Sequence, residues 1–165
     1  MKHGFPPAGL AVSIPLVLLA AIHFCFAAEF QGTVSRVLDG DTAWVTHDGK
    51  SDKVRFAWVD APEHDQDQGT AAKHFTEELC LGQTVTVKVH GKSYDRFVGE
   101  IVLKDGTGVN SSLVKAGYAW IEPRYAKGKA LKLLAPLEAD ARKAKRGLWA
   151  GDKPIPPWTW RRRGK

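Results

Sequence analysis

The stretch FQGTVSRVLDGDTAWVTHDGKSDKVRFAWV, Phe30 to Val59, decides the fold. Phe30–Leu38 and Thr42–His47 alternate apolar and polar residues, as half-buried strands do, and Lys53–Val59 is a third such run. Asp39-Gly40-Asp41 separates the first two, and Asp48-Gly49 leads into the third. Short strands joined by Asp-Gly turns form an antiparallel meander. Ala61-Pro62-Glu63 ends the pattern, because proline removes a ladder donor.

Working outward, Gly69–Leu81 reads as a helix with Ala71, Ala72, Phe75 and Leu79 on its apolar face and Gly82 as its stop. Thr84–Val89 and Arg96–Leu103 are two more strands, the second closing on an Asp105-Gly106 turn. Asn110 or Ser111 is placed to cap a short helix through Ala116, with Gly117 after it. A long helix follows over Lys129–Arg146, ended by Gly147, with Leu133, Leu134, Leu137 and Ala141 at helical spacing. The expectation is an α+β fold dominated by strands: a five-stranded Greek-key barrel of the oligonucleotide-binding type, with about three helices. Residues 151–165 form a tail rich in proline, tryptophan and arginine, read as an extended strap that Trp158 and Trp160 pack back on the body.

A chain of 165 residues suits one such domain, here residues 29–150. Apolar residues at 44% and charged residues at 25% exclude disordered and collagen-like classes. Two cysteines with no C-x-x-C pair exclude a zinc framework and a disulfide scaffold. Lys2 is the only charge in residues 1–28, and residues 8–28 are an apolar run ending in small residues. That is the pattern of a secretory signal cleaved after Ala27, with an uncleaved membrane anchor as the alternative. The expected location is therefore exported, periplasmic or secreted, or membrane-anchored if residues 8–28 remain. Without residues 1–28 the chain holds 23 basic and 18 acidic residues, and Arg161, Arg162, Arg163 and Lys165 carry most of the excess. The body is nearly neutral, which excludes a broad basic face. Cys80 then remains alone, in an apolar helical stretch that reads as a burial site.

Asp41 closes one Asp-Gly turn and Asp60 ends the third strand, so neighbouring strands bring both to one rim. Two carboxylates sharing a site repel unless a cation lies between them. Their hard oxygens, with the Ala61 carbonyl freed by Pro62, suit Ca²⁺ or Mg²⁺; the plain alternative is that Asp39 and Asp41 only make a turn. Alternation puts Arg55 beside Ala57 and Val59, opposite Val54, Phe56 and Trp58. An arginine there matches a phosphate through its planar fork, or is a surface strand residue. His47, His64, His74 and His90 show no ligand spacing.

DGDT (Asp39–Thr42), VRFAWVDAPE (Val54–Glu63), NSSLVKAGYAW (Asn110–Trp120), GLW (Gly147–Trp149) and PPW (Pro156–Trp158) together resemble the staphylococcal nuclease family, over about residues 30–160. The resemblance implies a Ca²⁺-dependent phosphodiesterase, with Mg²⁺ a poorer metal, cutting DNA and RNA to 3′-phosphate and 5′-hydroxyl ends. By motif, Asp41, Asp60 and the Ala61 carbonyl hold the metal, Glu63 is the general base, and Arg55 binds the scissile phosphate. Arg96, in Tyr94-Asp95-Arg96, matches the second arginine, although the family commonly has glycine at Asp95 and aspartate at Lys92. A rival alignment sets Asp95 on that aspartate and deletes the arginine. Asp95 is expected to pair with Arg96 and weaken its phosphate contact. Tyr94 and Tyr125 are read either as substrate contacts or as half-buried packing residues. Single strands are the expected preferred substrate and a monomer the expected state. The membrane is a partner only if the first segment is kept. The second reading is a non-catalytic module of this fold that binds nucleic acid or protein.

Overall fold

The computed structural model describes residues 28–163 and Met1; the segment read as signal or anchor lies outside the described residues. No helix among the described residues is long and apolar enough to cross a membrane. Strands β1 (Glu29–Asp39), β2 (Thr42–His47), β3 (Lys50–Phe56), β5 (Thr84–Ser93) and β6 (Arg96–Leu103) close a barrel in the order β1-β2-β3-β6-β5. The β1-β2-β3 meander is antiparallel, and β3 pairs in parallel with β6 to complete the mixed barrel. A two-stranded ribbon, β4 (Val59–Asp60) with β7 (Trp120–Ile121), stands at its rim. Helices α1 (Gly69–Cys80), α2 (Val109–Ala116), α3 (Gly128–Lys143) and α4 (Pro157–Arg163), with a 3₁₀ turn over Gly147–Ala150, complete the described residues.

The meander forms for the expected reasons. Asp48 and Gly49 both take positive φ, 46° and 71°, the conformation a two-residue hairpin turn needs to match strand twist. Gly40 is required by close approach: a Cβ there would lie 2.6 Å from that of Ala61 and 2.9 Å from that of Ala72. The barrel interior is filled by Val34, Val37, Ala43, Val45, Val54, Phe56, Val85, Val87 and Ile101. Helix α2 covers one end through Val109, Leu113 and Val114, and Cys80 of α1 joins the same core, as its apolar setting suggested.

Three local expectations are corrected. The third strand does not run on to Val59: it breaks after Phe56, and Trp58 sits at φ 66°, which swings Val59–Asp60 out to the ribbon. In α1 Ala72, Phe75 and Leu79 do face the core, Ala72 fully buried and the other two partly, but the most buried line runs through Ala72, Thr76 and Cys80, with the Thr76 hydroxyl satisfied by the Gly40 and Ala72 carbonyls. In α3 Leu134 and Ala141 are buried but Leu133 is exposed, since neighbours on a helix point about 100° apart. The tail also differs from an extended strap, for its last turns are helical from Pro157. It does pack back on the body: the Trp158 ring meets Trp120 edge-on at 5.8 Å, and Trp160 Nε1 donates to Asp65 Oδ1 at 3.2 Å.

Candidate active site at the barrel rim

The site forms where two backbone departures meet. The Gly40–Asp41 turn presses against Ala61, and the excursion at Trp58 carries Asp60 back to the end of β3. Asp39 Oδ1 accepts the Asp41 N–H at 3.0 Å, fixing the turn. Asp41 Oδ2 accepts the Ala61 N–H, and Oδ1 accepts from the Thr42 hydroxyl at 3.2 Å. Asp41 and Asp60 are both almost completely buried.

Arg55 joins them. Val54 and Phe56 fill the barrel, so Arg55 faces outward at the rim, where its fork meets both carboxylates. Nη1 lies 2.9 Å from Asp41 Oδ2, and Nη2 donates to Asp60 Oδ1 at 2.7 Å. Nη1 also donates to the carbonyls of Val59 at 2.9 Å and Phe56 at 3.1 Å. Burial pushes the Asp41 carboxyl well above its usual range; Arg55 pulls it down, while Asp39 and Asp60 push it further up.

Glu63 follows Pro62 in the loop before α1, with its side chain 37% exposed. Arg161 of α4 reaches it: Nη1 donates to Glu63 Oε1, while the fork closes on Asp60, Nη2 to Oδ2 at 2.7 Å and Nη1 to Oδ1 at 3.2 Å. Hydrogen bonds to Asp60, and then to Glu63, hold the Arg161 guanidinium well above its ordinary value. Asp41, Asp60, Ala61, Glu63 and Arg55 therefore share one rim, in contact with one another or through Arg161.

Arg96 stands apart from that cluster. It pairs with Lys53 in the parallel register and takes the same outer face of the sheet as Arg55. The expected pairing of Asp95 with Arg96 does not form. The Asp95 carboxylate takes Lys53 Nζ at 2.9 Å, which holds it below its usual range, because the turn at Tyr94 (φ 55°) directs it across to β3. Tyr94 is 95% exposed and Tyr125 is 67% exposed, so neither is a half-buried packing residue. Arg124 lies over the Tyr125 ring, 5.5 Å from its centroid. His64 is exposed in the loop after Glu63.

Sequence reading missed several neighbours of the site. By sequence Arg161 is only part of the tail's excess basic charge; the signal was the tryptophans at 158 and 160, which pack that tail on the body. Gln66 is 6% exposed and ties the Glu63 loop to the tail. Glu122 is buried beside the ribbon with Arg124 Nε at 2.9 Å; burial pushes its carboxyl up, but the bonds from Arg124 leave it below its ordinary value.

The chain also has counterparts among known proteins. The family described as staphylococcal nuclease homologue matches over residues 53–151. The chain belongs to that family. An uncharacterized endonuclease of Escherichia coli O157:H7 is 40% identical over 151 residues, covering 91% of this chain and 97% of that protein. A micrococcal nuclease of Shigella flexneri is 32% identical, with 94% and 92% covered. Endonuclease YhcR of Bacillus subtilis is 33% identical over 77% of this chain, which is matched to only 12% of that larger protein. In this member of the family, Asp41, Arg55, Asp60 and Glu63 lie together at the rim.

Asp41 and Asp60 offer carboxylate oxygens, a donor chemistry that fits a hard cation. Among the described residues no group of three or more His, Cys, Asp or Glu is arranged to hold a metal.

Proposed function

We propose that this protein is a Ca²⁺-dependent nuclease that hydrolyses phosphodiester bonds in DNA and RNA, single strands preferred, leaving 3′-phosphate and 5′-hydroxyl ends. The observation that carries the reading is the burial of Asp41 and Asp60 at one rim with Arg55 between them and Glu63 alongside, in a chain of this family. Asp41, Asp60 and the Ala61 carbonyl would hold the cation, which when bound supplies Lewis-acid polarisation of a phosphate oxygen. Mg²⁺ is the poorer occupant, since it demands stricter geometry than two carboxylates set.

Glu63 takes a proton from a water as the water oxygen bonds to phosphorus, and the P–O5′ bond breaks with the 5′ oxygen taking a proton from solvent to become a hydroxyl. Arg55 and Arg96, on one face of β3 and β6, bind the charge that grows on the phosphate oxygens. These groups address phosphate and carry no sequence information, which is why both nucleic acids are substrates. Tyr94 and Tyr125, exposed at the edges, stack on or flank the substrate. We further propose that residues 1–28 direct export and are removed, the alternative being a membrane anchor, and that the protein acts as a monomer.

The test is to strip the purified protein of metal and offer single-stranded DNA and RNA with Ca²⁺, Mg²⁺ or EDTA, alongside Glu63→Gln. The expected result is Ca²⁺-dependent cutting that falls by about 10²–10⁴ in Glu63→Gln, the usual worth of a general base. Intact substrate under every metal would overturn the proposal, and binding without cutting would move the reading to the non-catalytic module.

A further inference from the structure

Glu63 lies on a loop outside the sheet, and a loop carboxylate works as a base only if something holds it in place. Productive geometry tolerates about 0.5 Å of error, which a free glutamate does not keep. Its backbone is set locally, since Gln66 N–H donates to the Glu63 carbonyl at 3.0 Å. The rest of the support arrives from the far end of the chain. Buried Gln66 accepts the Glu63 N–H through Oε1 and donates through Nε2 to the Ile155 carbonyl. Trp160 Nε1 bonds Asp65, and Arg161 bonds Glu63 and Asp60 together. Helix α4 is itself seated by buried Pro157 and by Trp158 against Trp120.

The geometry points to Arg161 as a positioning residue: the segment from Ile155 to Arg161 clamps the loop over residues 61–68 and sets the Glu63 carboxylate beside Asp60. The inference rests on Glu63 being the general base. It favours a fixed part of the site over a removable plug, because the Gln66 and Trp160 contacts tie the segment to the loop independently of Arg161. Separating the buried Gln66 amide from both partners would leave polar groups unpaired, so the segment stays seated when substrate arrives.

Arg161→Ala, Arg161→Lys and Arg162→Ala would be made in the full chain. Turnover and KM on single-stranded DNA, Ca²⁺ affinity by calorimetry, and amide exchange of residues 63–68 would be measured. Arg161→Ala is expected to lower kcat about 10²-fold with KM unchanged, as a misplaced catalytic group does. Arg161→Lys recovers part of the loss, keeping the charge without the fork. Arg162, which points to the Trp158 carbonyl on the exposed side, is expected to leave activity unaltered when replaced. Exchange in the loop should rise about tenfold in Arg161→Ala, the equivalent of about one hydrogen bond. Faster cutting or tighter Ca²⁺ binding by Arg161→Ala would show a plug and overturn the inference, as would unchanged kcat. If the unaltered protein cuts nothing, the nuclease reading fails, yet the exchange arm still decides whether Arg161 holds the loop.

Discussion

Replacing Asn110 by alanine should cost about 4 kcal/mol of folding stability, although Asn110 touches no substrate. Its side chain is 4% exposed and makes three bonds inside the fold. Oδ1 accepts the Ile101 N–H at 3.0 Å, and Nδ2 donates to the carbonyls of Ala57 at 3.0 Å and Gly99 at 3.2 Å. The reason is topological. Strand β3 pairs with β6 only as far as Phe56 opposite Gly99, so the next groups of β6 on that side face no strand. Asn110 takes the place of the missing ladder. Alanine would orphan the Ile101 N–H and the Ala57 carbonyl, each worth about 1–3 kcal/mol when buried and unpaired. The Gly99 carbonyl keeps the Ala57 N–H at 2.8 Å and adds little. A loss of that size is a large share of the roughly 5–15 kcal/mol holding a domain together. Urea unfolding followed by tryptophan fluorescence gives the number directly, with the slope expected to stay constant. Asn110→Asp should be no better than alanine, since it turns a second oxygen toward two carbonyls. A loss below about 1 kcal/mol for Asn110→Ala, or a clear advantage for Asn110→Asp, would refute the reasoning.

Arg55→Lys keeps the charge but cannot bridge Asp41 and Asp60; turnover should fall at least about 10³-fold. Near-normal turnover in a steady-state assay would reject the bidentate role. Burial pushes the Cys80 thiol up to about 12 from an ordinary 9.0. The native state therefore holds its proton where the unfolded chain releases it. The stability this gives is whole below pH 9 and is lost as pH rises from 9 toward 12, by about 1.4 kcal/mol per pH unit. Cys80→Ala should flatten that part of the pH–stability curve, and in a Cys25→Ser background a thiol reagent at pH 8 should label only on unfolding.

The barrel was legible because its signals are local. Alternation in Phe30–Val59 and the Asp48-Gly49 turn report directly on strand faces and strand ends, and the sheet follows them. What escaped reading depends on partners far away. Trp58 gives no sign of a left-handed backbone, so the strand seemed to continue through it. Nothing local marks Thr76 as a core residue, since its hydroxyl is satisfied in part by the Gly40 carbonyl, 36 positions away. Asn110 looked like a helix cap, yet Gly108 precedes the first turn and the amide faces inward. Of the site, Asp41, Arg55, Asp60 and Glu63 lie within 23 positions and carry a motif. Arg161 follows them by about a hundred and sits in a run whose usual meaning is solvent.

Charge at the rim links these features. Asp41, Asp60 and Glu63 face Arg55 and Arg161, three carboxylates against two guanidiniums, while Glu122 and Arg124 cancel nearby. One negative charge is left over among these groups, at a rim where burial already pushes the Asp41 carboxyl well above its usual range. A dication held by Asp41 and Asp60 would turn that balance to one positive charge, the complement of a single phosphodiester. The fold thus leaves a charge deficit at the one place where the β3 ladder ends, and the groups around it are those that a cation and then a phosphate would neutralise in turn. On this argument Arg161 does more than fill space: without it the rim would carry two uncompensated charges, and a dication would leave those groups neutral instead of carrying one positive charge.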